Sequence, residues 1–135
     1  MGIEIEKKFL LANDNWRSRV VKSIAFRQGY LASSEKSSVR VRIEGGEANI
    51  NIKSATLGVR RQEYEYPIPL DDAQEMLSSI CNKPLVEKTR HYVPCGDKYW
   101  EIDEFLGDNA GLIVAEIELQ DEDEYFDKPD WLGQE

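Results

Sequence analysis

The stretch Glu4-Ile5-Glu6-Lys7-Lys8-Phe9-Leu10-Leu11 decides the fold. Side chains alternate across a strand, so Ile3, Ile5, Phe9 and Leu11 share one face while Glu4, Glu6 and Lys8 share the other. Glu4 and Glu6 then stand about 7 Å apart, far enough to straddle one divalent cation and close enough to repel each other if nothing lies between them. On one strand taken alone this is an ordinary solvated face. The pattern recurs, however. Glu63 with Glu65, Glu101 with Asp103, and Glu116 with Glu118 are further same-face acid pairs, while Arg40 with Arg42 and Lys88 with Arg90 are same-face basic pairs.

Working outward from the first strand, Asn13-Asp14-Asn15 offers N-cap chemistry for a short helix carrying Trp16, Val20 and Val21 on apolar surface. A second strand runs through residues 24–31, with Tyr30 near its end, and Ser33-Ser34-Glu35-Lys36 supplies the turn. Residues 38–44 alternate strictly, Arg40 and Arg42 opposite Val39, Val41 and Ile43. Gly45-Gly46 then reads as a two-residue hairpin into 47–54, where Asn49, Asn51 and Lys53 share a face. A fifth strand opens at Arg61 and ends near a sheet edge at Pro67 and Pro69. From about Asp71 the spacing of Ala73, Met76, Leu77 and Ile80 predicts a helix. Three more strands follow, over 85–93, 99–105 and 112–119, separated by Gly96-Asp97 and a Gly107 to Gly111 loop. His91 falls on the face opposite Lys88 and Arg90, which makes it structural.

The chain has 135 residues, 41% of them hydrophobic, enough for one domain with a real core over 1–135. No apolar run approaches the length of a membrane span and no signal-peptide layout opens the chain, so a cytoplasmic protein without membrane association is expected. Cys81, Cys95 and a single histidine indicate neither a zinc site nor a disulfide framework. A formal net charge of −9 argues against nucleic-acid binding, so any bound anion must be drawn in by a local reversal of sign.

About eight mostly antiparallel strands and a few helices make a mainly β (α+β) chain, at the strand count where a sheet closes into a barrel. Alternation alone allows the charged faces to point outward or inward. Like charges side by side are unfavourable on a bare sheet and tolerable where counter-ions sit between them, which favours an inward, polar-lined tunnel.

Glu4-x-Glu6-x-Lys8, with Arg27-Gln28-Gly29-Tyr30-Leu31, Val39-Arg40-Val41-Arg42, Ile52-Lys53-Ser54, Arg61-Gln62-Glu63-Tyr64-Glu65, Glu87-Lys88-Thr89-Arg90, Glu101-Ile102-Asp103 and Ala115-Glu116-Ile117-Glu118, resembles the CYTH-domain family, the triphosphate tunnel metalloenzymes. The ordered blocks span almost the whole chain. The resemblance implies a closed eight-stranded antiparallel barrel whose lumen binds a triphosphate with Mg2+ or Mn2+. Carried over residue by residue, Glu4, Glu6, Asp103, Glu116 and Glu118 match metal-binding acids, and Lys8, Arg40, Arg42, Lys53, Lys88 and Arg90 match phosphate-binding bases. Lys8, Glu63, Glu65 and Tyr30 match tunnel residues expected to take part in catalysis. Similar bacterial proteins continue past Trp131-Leu132-Gly133-Gln134-Glu135 with a helical segment, which is expected to be lacking here; a homodimer is one expected assembly.

The implied activity is metal-dependent hydrolysis of a terminal phosphoanhydride, with inorganic tripolyphosphate preferred because so compact a chain has few elements to spare for a base and ribose. A nucleoside or thiamine triphosphatase, or a class IV type adenylyl cyclase, is the alternative enzyme. A non-catalytic oligophosphate-binding module is the alternative outside enzymology.

Overall fold

In the computed structural model, which describes residues 2–135, eight antiparallel strands close into a barrel in the order β1-β5-β4-β3-β2-β6-β7-β8. The strands are β1 (Ile3–Leu10), β2 (Lys22–Ser33), β3 (Ser37–Glu44), β4 (Glu47–Ser54), β5 (Arg60–Ile68), β6 (Val86–Cys95), β7 (Lys98–Phe105) and β8 (Ile113–Leu119). The single α-helix among the described residues, α1 (Leu70–Ser79), connects β5 to β6. No helix among the described residues is long and apolar enough to cross a membrane.

Closure rests on β1, which pairs with β8 from Ile5↔Leu119 to Leu10↔Val114 and with β5 over Ile3↔Gln62 to Ile5↔Arg60. Because that second ladder is short, the far half of β5 lacks a partner on its β1 side. The strand therefore runs on through Pro67, whose missing N–H costs nothing on an unpaired side. β2 is longer than its alternation suggests and shifts register between Tyr30 and Ala32, a bulge that turns the strand.

The apolar faces point outward and are covered in two places. Ala73 and Leu77 of α1 pack with Val41, Ala48 and Cys81 over β3 and β4. Gly29 makes this approach possible, since a Cβ there would stand 2.6 Å from Leu85 Cδ2 and 3.1 Å from Cys81 Cβ. On the other side Ile5, Phe9, Val93, Trp100, Ile102, Ala115, Ile117 and Leu119 are covered by Trp16 and Trp131. The segment carrying Trp131 is strapped to β1, with Gly133 N–H donating to Leu10 C=O at 2.7 Å.

The helix expected after Asn13-Asp14-Asn15 is only a 3-10 turn, Asn15–Arg19. Asn13 Oδ1 accepts from the Asn15 N–H at 2.9 Å, an Asx turn that competes with a longer helix, and Val21 is left exposed. His91 lies outside the barrel between Ser23 Oγ at 2.7 Å and Glu104 Oε1 at 3.0 Å, a structural role.

Candidate active site

The inward faces of the strands enclose a cavity of about 420 Å³. Glu4, Glu6, Lys8, Tyr30, Arg40, Arg42, Lys53, Glu63, Glu65, Lys88, Arg90, Glu116 and Glu118 line it together. Asp103, expected as a metal-binding acid, is not among the lining residues: it is completely buried behind Lys88 and Arg90. Gln28, Arg61 and Glu101, which the sequence reading leaves unassigned, do line the cavity. An external groove of about 510 Å³ under the Trp131 segment is larger, but its Val93, Pro94, Trp100, Pro129 and Trp131 walls bring no comparable charge together.

Charge in the lumen is segregated. On β3 and β4, Arg40 Nε and Nη2 donate to Asn51 Oδ1 at 3.1 and 3.0 Å. Asn51 Nδ2 donates to Glu65 Oε1 at 2.8 Å, and the same oxygen accepts from Arg42 Nη2 at 2.8 Å. Lys53 stands 3.2 Å from Glu63 and 3.8 Å from Glu4. Burial, then the like charge of Arg42, lowers the pKa of Arg40; burial, then Arg40, lowers that of Lys53. The Tyr30 hydroxyl beside Arg40 opposes that loss.

Across the lumen, Glu6, Glu101 and Glu116 bring one carboxylate oxygen each to within 4.8 Å of one another. Burial, reinforced by Glu116, pushes the Glu6 carboxyl up to about 8. Burial also raises Glu101 against the opposing charge of Arg90, and raises Glu118 with help from Glu4 and Glu63. Glu4 behaves differently. Its burial is outweighed by Lys53 and Arg61, whose Nε donates to Glu4 Oε1 at 2.6 Å, so its pKa lies below the usual range. Lys8 lies on the acid side, its Nζ 3.9 Å from Glu6 and 4.0 Å from Glu116, with a side chain 56% exposed.

Arg90 links the walls, donating to Glu101 Oε2 at 3.3 Å and lying 3.9 Å from Glu116. Phe26 is an apolar residue on the charged face. Its ring centroid lies 4.7 Å from the Arg90 guanidinium, 5.2 Å from that of Arg42 and 5.4 Å from Lys88 Nζ, a cation–π floor beneath three bases. Gln28 Oε1, Arg42 Nε and Asn49 Oδ1 are buried without hydrogen-bond partners on directly neighbouring register positions. An unmet buried polar atom costs about 1–3 kcal/mol; of these three only Arg42 Nε is a donor, and a ligand oxygen that reaches it recovers that free energy, whereas the two amide oxygens accept and need a donor.

The all-oxygen acid cluster suits a hard divalent cation, and a Glu6 that keeps its proton near neutrality marks a place short of positive charge. The basic wall suits phosphate oxygens.

The chain matches the CYTH domain over residues 2–135. It is 46% identical over 135 residues to the inorganic triphosphatase of Acetivibrio thermocellus, covering all of this chain and 86% of that protein. To the inorganic triphosphatase of Nitrosomonas europaea it is 37% identical over 137 residues, covering 98% and 87%. The crystal structure of the inorganic triphosphatase NE1496 superposes with a TM-score of 0.64 at 34% identity, over 97% of this chain and 84% of that one. A putative adenylate cyclase from Bacillus halodurans gives a TM-score of 0.70 at 14% identity, a likeness of fold alone.

Proposed function

The chain belongs to the CYTH domain family, and we propose that it is an inorganic triphosphatase that cleaves tripolyphosphate to pyrophosphate and phosphate inside the barrel. The observation that carries this reading is a closed lumen in which bases on β3, β4 and β6 face a carboxylate cluster from β1, β7 and β8.

Phosphoryl transfer depends on positioning and charge neutralisation more than on covalent help. Arg40, Arg42, Lys53, Lys88 and Arg90 bind the oligophosphate, with the two arginines of β3 held at fixed angle by Asn51 and Glu65. Glu63 and Glu65 act by orienting Lys53 and Arg42. Tyr30 stands opposite Arg40 in the β2–β3 register, where its hydroxyl can orient that guanidinium or the phosphate it binds. Lys8, whose exposed ammonium stands beside Glu6 and Glu116, meets the phosphoryl group as charge shifts onto its oxygens. Glu6, Glu101 and Glu116, with Glu118 opposite Glu6 in register, would hold Mg2+ or Mn2+, which when bound supplies charge neutralisation at the scissile phosphate. Glu4 takes part through Arg61 and Lys53.

A phosphate-release screen of tripolyphosphate, ATP and thiamine triphosphate with Mg2+, Mn2+, Ca2+ or chelator tests the proposal. Tripolyphosphate should be turned over fastest, with Mg2+ or Mn2+, and not in chelator. Faster release from ATP, or full activity in chelator, would overturn it.

A further inference from the structure

Asp103 sits on β7 directly opposite Arg90 of β6, and on its other side the register partner is Val114, which offers it nothing polar. Its Oδ1 accepts from Arg90 Nε at 2.7 Å, and its Oδ2 accepts from Arg90 Nη2 at 2.9 Å and from Lys88 Nζ at 2.6 Å. Both oxygens are thus engaged in charge-assisted hydrogen bonds, one pair of them the bidentate fork that fixes a guanidinium plane. The carboxylate has no exposed surface. Glu101, two residues earlier on the same face, pairs in register with Glu116 and brings its oxygen into the cluster that Asp103 does not join.

We propose that Asp103 is a positioning residue for Lys88 and Arg90, and not a metal ligand. The inference rests on the triphosphatase reading. Its carboxylate aims two phosphate-binding cations into the lumen and cancels one of their charges, so that they bind an anion without repelling each other out of line. Burial and the Arg90 charge work against the Lys88 ammonium, and Asp103 is the group that opposes them most, so Asp103 also keeps Lys88 charged.

Asp103→Asn keeps the shape and removes the charge. With Glu116→Gln as comparison, thermal melts are run against Mg2+ alone, together with tripolyphosphate kinetics from pH 6 to 10. In Asp103→Asn the Mg2+ concentration giving half-maximal stabilisation should stay within about twofold of the parent, kcat should fall at least ~10-fold, and the alkaline limb of the rate profile should move to lower pH. A ~10-fold or greater rise in the Mg2+ requirement, matching Glu116→Gln, would overturn the proposal, as would unchanged kcat and pH profile in the folded variant. Should Asp103→Asn fail to fold, a crystal structure of the parent with Mg2+ and tripolyphosphate decides. Asp103 oxygens still on Lys88 and Arg90 support the proposal, and one at about 2.1 Å from the ion refutes it. A parent that stabilises with Mg2+ and binds tripolyphosphate but does not cleave it would sink the enzyme assignment while leaving the melts and the crystal structure to judge Asp103.

Discussion

Glu6 couples the stability of the barrel to pH, and the sign is opposite to that of an ordinary surface carboxylate. In the folded chain its carboxyl is pushed up to about 8 from the usual 4.5, by burial and then by Glu116 and Glu4 against the weaker pull of Lys8. Between those two values the folded state holds a proton that the unfolded state has released. The contribution is therefore fully present below pH 4.5 and is lost as pH rises through 8. At 1.36 kcal/mol per unit the full excursion is about 5 kcal/mol, an upper bound for a group sharing its charge with Glu116. For a chain of this length that corresponds to roughly 15 °C in Tm. Glu101 and Glu118, both raised by burial, act in the same direction, while the lowered Glu4 and Asp103 act only in the acid range.

The assay is a set of thermal melts of the parent and Glu6→Gln in chelator from pH 5 to 9. The parent should lose Tm steadily across the interval. Glu6→Gln has no proton to lose at that position, so its profile should be distinctly flatter, keeping only the slope due to Glu101 and Glu118. Saturating Mg2+ should flatten the parent's profile as well, because metal binding needs ionised carboxylates and strengthens as pH rises. Parallel profiles for parent and Glu6→Gln in chelator would refute the argument.

Arg42→Ala removes a buried guanidinium held by Glu65, so KM for tripolyphosphate should rise ~10-fold or more while Mg2+ still stabilises the variant in melts. Asn51→Ala takes away the acceptor of Arg40 and one of the two donors to Glu65 Oε1, and titration calorimetry with tripolyphosphate should show binding weakened by ~3- to 10-fold. Gly29→Ala drives a methyl group into Leu85 and Cys81, and should cost about 1–3 kcal/mol in denaturant melts with kcat little changed well below Tm.

The inward set was legible because a strand offers only two faces, so one charged residue placed in the lumen places its neighbours two positions away. That logic carried Glu4 to Glu6 to Lys8 and Arg40 to Arg42 into one cavity. It could not rank Glu101 against Asp103, which share a face of β7; their roles are separated by register, Glu101 opposite Glu116 and Asp103 opposite Arg90. Arg61 has the same parity as Glu63, but its role depends on β1–β5 pairing, which sets it beside Glu4 and which no local pattern encodes. Phe26 was hidden for a different reason. Polarity sends a phenylalanine outward and alternation sends this one in, where three cations make an aromatic face favourable. The short 3-10 turn at Asn15–Arg19 shows the same limit, since helix spacing over a few residues cannot outweigh a local side-chain turn.

The charge of the lumen also constrains how substrate enters. Although the chain carries a net charge of −9, the cavity is lined by seven acids and seven bases, so the excess of acid lies elsewhere on the molecule. The local reversal of sign that an anion requires is achieved by segregation, with Arg40, Arg42 and Lys53 on one wall and Glu6, Glu101 and Glu116 on another. A balanced lining does not fit a highly charged oligophosphate alone, because the acid wall would repel the end of the chain nearest it. It fits an oligophosphate accompanied by a divalent cation, whose charge offsets the acids as the phosphate oxygens offset the bases. Substrate and cation should therefore bind with positive coupling, each raising the affinity for the other by the same factor.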